Sequence, residues 1–179
     1  MLSKVYIRPL ERTDLQRTHK WINEPEIGEL MGCLPMNAHQ QEKWFENTID
    51  NRSKFIFAIC TQSDGEHVGN VGLSNIDYIN RNAMLSIFIA DPKHRSKGYG
   101  FQSILLALTF AYYRLSLNKV YLKTSDYLVE AIKFYRKIGF VEEGVLRRHE
   151  YKQGRFIDKH LFSMLRDEFD AQYKEMVLS

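Results

Sequence analysis

The sequence predicts a mixed α/β domain spanning residues 1–179. Runs that alternate apolar and polar residues recur along the chain and read as strands. Stretches with apolar residues at helical spacing stand between them. The chain is 44% hydrophobic and 13% aromatic over 179 residues, enough to bury a core of ordinary size and too apolar for a disordered segment.

"KVYIRPL" alternates and forms the first strand. "TDLQ", Thr13 to Gln16, has the form of a capping box, which predicts a helix running to about Ile22. "NEPEIGELMGCLPMN" is broken by proline and glycine and reads as a connection. Asn37 caps a second helix through "HQQEKWFENTI". "KFIFAIC" and "EHVGNVGLSNIDYI" are strands around a Ser63-Asp64-Gly65 turn, and "NRN" turns into a fourth, "AMLSIFIA". Phe101, Ile104, Leu105, Leu108, Ala111 and Leu115 make the buried stripe of a third helix. "KVYLKT" is a strand, and Leu128, Ala131, Ile132, Tyr135 and Ile138 mark a fourth helix that Gly139 stops. "FVEEGVLRRHEY" and "RFIDKHLFSML" close the domain as a hairpin around Lys152-Gln153-Gly154.

Composition excludes several classes. The formal net charge of +3 is small and its basic residues are mixed with acids, which suits an anionic ligand but not nucleic acid. Cys33 and Cys60 are too few for a disulfide framework and lack metal-ligand spacing, and His149 and His160 have no partners at such spacing, so no metal is expected. No run approaches the ~18 apolar residues of a membrane span. The first residues carry charge where a signal peptide needs an apolar run, so a cytoplasmic protein with no membrane partner is expected. Nothing in the sequence decides between a monomer and a homo-oligomer.

The most informative stretch is "ADPKHRSKGYGFQ". Gly98 and Gly100 lie where a strand gives way to a helix. Glycine permits close backbone approach, and a helix start offers unpaired N–H groups and a positive dipole end, so the pair suits an anion, above all a phosphate. Arg95, Lys97 and Lys93 add charge, and His94 beside the loop is expected to be exposed. A tight turn with solvated basic residues is the other reading of the same residues. The Walker pattern is absent, and Ser103 replaces the last glycine of a dinucleotide fingerprint. What remains is R-x-x-G-x-G, Arg95 to Gly100. With "IFIADP" before it and "EAIKFYRKIGF" after it, this resembles the acetyl-CoA loop and second signature of the GNAT N-acetyltransferases. "YIRPLERTDL", "GLSNID", "GVLRRHEYKQGRFIDKHLFSML" and "RDEF" are similar to the branch holding ribosomal-protein alanine and spermidine acetyltransferases.

The resemblance implies a single GNAT domain, a mixed central sheet of about seven strands flanked by about four helices. It implies an N-acetyltransferase moving the acetyl group of acetyl-CoA, its co-substrate, to a primary amine of a protein N-terminus, a polyamine or another small amine. Its fourth and fifth strands splay to admit the thioester. Pantetheine then bonds to backbone at Phe88, Ile89 and Ala90, and the pyrophosphate lies on Arg95, Ser96, Lys97, Gly98, Tyr99, Gly100 and Phe101. Tyr135 matches the family tyrosine that protonates the departing thiolate, although a core tyrosine on the same stripe looks identical in sequence. Trp21, Asn23, Asn75 and Asp77 fall where relatives build the acceptor site.

Two departures matter. Leu128 stands where many relatives have a cofactor-contacting asparagine, and Met84 where many have a proton-relaying glutamate. The general base is left open among Asp77, Glu24, Glu26, His149 and a water chain. These departures also motivate a non-catalytic CoA-binding module. "WINEPEI" with "QQEKWFENTI" looks like acetyltransferases of amino sugars or nucleotide-linked sugars in glycan pathways, a further alternative.

Overall fold

The computed structural model describes residues 4–178; residues 1–3 and 179 of the span read as one domain lie outside it. Its strands are β1 (Val5–Pro9), β2 (Phe55–Thr61), β3 (His67–Asp77), β4 (Asn82–Ile89), β5 (Lys119–Ser125), β6 (Val141–Lys152) and β7 (Arg155–Leu165). They form one seven-stranded sheet in the order β1-β2-β3-β4-β5-β7-β6, antiparallel except between β4 and β5. The helices are α1 (Leu15–Ile22), α2 (Pro25–Met31), α3 (Ala38–Ile49), α4 (Tyr99–Thr109), α5 (Val129–Lys137) and α6 (Arg166–Leu178). The expected mixed α/β architecture and its strands are present, with two more helices than the sequence predicts.

The differences have local causes. The capping box is not Thr13–Gln16 but Glu11–Asp14. Asp14 accepts the Glu11 N–H at 2.8 Å and is gripped by the Arg8 guanidinium at 2.7 and 2.8 Å, so the acid next to Thr13 closes the turn. The Pro- and Gly-broken connection contains α2, because Pro25 sits in the first helical turn, where its missing N–H costs nothing. The C-terminal α6 has too weak an apolar stripe to read from sequence. It is held by Phe169 and Tyr173, whose rings pack on Tyr112 (5.2 Å) and Phe101 (5.8 Å) respectively.

The predicted stripe of α4 is the centre of the core: Ile104, Leu105, Leu108 and Ala111 have no exposed surface. The helix widens after Thr109 into a π-turn, Phe110–Arg114, which buries Tyr112 and lets its hydroxyl donate to the Met164 carbonyl at 2.6 Å. On β3 the backbone of β4 comes so close that a Cβ at Gly69 would lie 2.2 Å from the Phe88 oxygen and 3.0 Å from the Ile89 Cα. Both obstacles are backbone. Gly69→Ala should therefore lose about 1–3 kcal/mol of stability by overpacking, measured by denaturant unfolding.

One irregularity positions the site. β4 and β5 pair only from Asn82 to Met84 against Lys119 to Tyr121. Beyond Met84 they diverge, β4 staying with β3 and β5 with β7. The sheet opens there into a wedge.

Candidate active site

One wall of the wedge is the unpaired edge of β4. The Ala90 N–H donates to Val68 on the β3 side at 2.9 Å. Backbone groups alternate along a strand, so Phe88 also turns its N–H to β3, while Ile87 and Ile89 face the opening. Of the three residues expected to meet pantetheine, only Ile89 turns its backbone to the wedge, with its carbonyl taken by Arg95 and its N–H left to the opening; Ile87, not expected from the sequence, turns both groups there.

The loop after β4 carries the anion-binding geometry. Ser96 and Gly98 both adopt left-handed torsions (φ 58° and 84°), and backbone turned this way forms a concave nest of N–H groups. Gln102 is the first residue of α4 to find a helical carbonyl, that of Gly98 at 3.1 Å. The N–H groups of Tyr99, Gly100 and Phe101 therefore have no partner among the described residues. Open space lies where a Cβ at Gly100 would stand. Lys4, just before β1 and far from the loop in sequence, lays its ammonium on it and donates to the Lys97 carbonyl at 2.9 Å. This is a cradle shaped for an anion.

Arg95 has a different position from its loop neighbours. Its N–H is taken by Pro92 at 3.0 Å. Its guanidinium donates to the carbonyls of Ile89 (3.3 Å) and Ala90 (3.2 Å) and pairs with Glu26 of α2 at 2.5 Å. It braces the loop rather than offering a free charge. His94, expected to be exposed, is buried beneath the loop: it stacks on Tyr99 (6.0 Å), and its Nε2 lies 3.2 Å from Glu66. It closes the 3-10 turn Pro92–His94, which folds it inward.

Tyr135 lies on α5 among the rings of Phe134 (5.6 Å), Phe140 (5.9 Å) and Phe162 (6.1 Å). Its hydroxyl has no hydrogen-bond partner among the described residues, and burial pushes its pKa up to about 12. The phenol is therefore protonated throughout the neutral range and free to donate.

A separate cavity of about 500 Å³ lies between α1, α2, α3 and the sheet. Met84, Ser86 and Phe88 of β4 line it beside the wedge, and Trp44, Ser53 and Lys54 line it elsewhere. Asn70 lines it too; its Oδ1 lies 2.7 Å from His67, which contacts Asp14 at 3.3 Å. Burial pushes His67 down. Burial also works to raise Asp14, but the Arg8 hydrogen bonds and the Glu11 N–H outweigh it and hold the carboxyl below its usual range.

Of the residues expected at the acceptor site, Asn75 lines this cavity. Trp21 instead packs edge-on against His67 (4.8 Å) and Phe88 (6.0 Å). Asn23 clips the end of α1, through the His19 carbonyl (2.9 Å), to the α2–α3 loop, through both backbone groups of Met36 (2.9 and 3.0 Å). Asp77 accepts the N–H groups of Ile79 and Asn80 in the β3–β4 turn, which lowers its pKa. Among the described residues, no carboxylate lines the cavity. Glu26 is paired with Arg95, Asp77 is in its turn, and Glu24 and His149 are exposed, so none of the side chains considered as general base is placed there.

A splayed sheet with an anion cradle at one side and an acceptor-sized cavity at the other defines a group-transfer enzyme for two substrates. Comparison with known proteins makes this specific. The model of the acetyltransferase (GNAT) domain matches residues 4–141. The chain is 30% identical over 170 residues to a spermidine N(1)-acetyltransferase of Vibrio cholerae, covering 94% of this chain and 97% of that one. It is 29% identical over 175 residues to a putative ribosomal N-acetyltransferase of Bacillus subtilis, covering 94% of each. A crystal structure of the V. cholerae spermidine N-acetyltransferase with CoA and spermine superimposes with a TM-score of 0.88 at 29% identity, over 93% of this chain and 98% of that one. The chain belongs to the GNAT acetyltransferase family and is an acetyl-CoA-dependent N-acetyltransferase. No helix among the described residues is long and apolar enough to cross a membrane.

Proposed function

We propose that the chain acetylates a primary amine on a small molecule lodged in the cavity beside β4. The observation that carries this is the cavity's lining: it reaches the wedge at Met84, Ser86 and Phe88 and is otherwise mostly neutral. The nest at Ser96 to Phe101, with Lys4 and Lys97, holds the pyrophosphate, and the open edge at Ile87 and Ile89 aligns the pantetheine arm. Arg95 keeps edge and loop in register. Acetyl-CoA supplies the activated acetyl group as a thioester. Tyr135 gives its phenolic proton to the sulfur as the C–S bond breaks and is reprotonated from solvent. The amine loses its proton to water. A cavity with no carboxylate does not hold an ammonium ion, so it favours the free amine that attacks, which compensates for Met84 in place of a glutamate.

The names of the relatives favour a second reading, in which the acceptor is a polyamine. Against it stands the same lining, which gives a polycation nothing to pair with. A panel of polyamines, aminoglycosides, amino sugars and peptides assayed for thiol release from acetyl-CoA decides between them. Turnover of a compact amine that is not a polycation is expected. Turnover of spermidine alone would favour the second reading. Tight CoA binding without thiol release for any amine would mark a non-catalytic binding module.

A further inference from the structure

We infer that the acceptor carries an anionic group, phosphate or carboxylate, beside its amine, and that Lys54 holds it. This rests on the reading of the cavity as the acceptor site. Lys54 is the one charged residue on the cavity wall among the described residues. It is half-buried and lies 5.0 Å over the Trp44 ring. Among the described residues its ammonium has no carboxylate within 4.0 Å and no hydrogen-bond acceptor, although thirteen other Lys, Arg or His side chains here pair with acids. Burial pushes its pKa down, and the nearby Cys33 only partly opposes this.

A half-buried ammonium without a counter-ion has lost hydration, and the face of the Trp44 ring returns only part of it. An anionic ligand restores that loss. The rest of the wall suits such a ligand: Gln41, Asn51, Ser53, Asn70, Ser74 and Asn75 offer neutral hydrogen bonds. The same cavity touches β4 through Ser86, so one molecule fits with its anion at Lys54 and its amine at the wedge. A polyamine brings several positive charges to a wall whose only charge is positive.

The test uses amines that share one ring. Glucosamine, glucosamine 6-phosphate and muramic acid differ by the absence of an anion, a phosphate or a carboxylate; spermidine is the polycation. Wild-type kcat/KM should favour at least one anion-bearing sugar over glucosamine by about tenfold or more, the size of one well-placed charge contact. The phosphate and carboxylate arms identify which anion is read. Lys54→Gln should bring that ratio close to one, and Lys54→Glu should invert it toward spermidine. A preference for spermidine in the wild type, an anion preference that survives Lys54→Gln, or no turnover of either anionic sugar overturns the inference. Ser86→Trp, which fills the cavity beside β4, separates this from the underlying reading. If it leaves turnover of a reactive amine intact, the acceptor binds elsewhere and the cavity reading itself fails.

Discussion

Gly100→Val should weaken CoA binding by at least about tenfold, or 1.4 kcal/mol, while leaving the fold intact. A Cβ at Gly100 meets nothing within 4 Å, so the protein itself has no need of glycine there. The position is in the first turn of α4, where any side chain is tolerated by the backbone and glycine is a poorer helix former than most. Its value is the space it leaves for a ligand's phosphates against the N–H groups. Gly98→Val is expected to lose as much CoA affinity but is a less clean variant. Gly98 has φ 84°, and a β-branched residue held there stores about 1–3 kcal/mol of backbone strain. Titration calorimetry with CoA, paired with thermal melts, distinguishes the two. Unchanged affinity in Gly100→Val with a normal melt would remove the loop from the cofactor site.

Tyr135→Phe should lower kcat by roughly 100- to 10,000-fold, the range for a positioned proton donor, with little change in KM. The ring and its contacts with Phe134, Phe140 and Phe162 remain, and no hydrogen bond within the described protein is broken. The melting temperature should therefore hardly move, whereas a packing role would give near-normal turnover. The pH profile adds a second readout. With its pKa raised to about 12, the phenol stays protonated when an exposed tyrosine has begun to ionise near pH 10. The wild type should not lose kcat between pH 8 and 10 through loss of this proton. A kcat within about threefold of wild type in the Phe variant would leave solvent as the acid.

The sheet was legible because its strands alternate or run apolar, and the anion nest after β4 because Gly98, Gly100 and the basic residues are contiguous. The acceptor side was not. The proposed acceptor cavity is assembled from α1, α2, α3, β2, β3 and β4, brought together across long sequence separations by packing that no local period encodes. Trp21 and Asp77 fall at suggestive positions, yet tertiary contacts and a turn claim them. Arg95 belongs to the sequence pattern, but its partner Glu26 lies in a helix that proline and glycine disguised. Lys54 carries no motif. Only the neighbours it lacks in three dimensions make it conspicuous.

The wedge between β4 and β5 also bears on where this sheet leaves a strand edge open. An unpaired strand edge is a template on which another chain can add. The two outer edges are poorly suited to it. β1 is only five residues long and ends in Pro9, and β6 is broken by register shifts and studded with charge at Glu142, Glu143, Arg147 and Arg148. The edge of β4 at Ile87, Phe88 and Ile89 is the reverse, apolar and unbroken. It is the strand most capable of recruiting a partner, and it lies inside a cleft walled by β5. The sheet thereby keeps a third edge, internal rather than peripheral, with the width of an extended arm rather than of a whole chain.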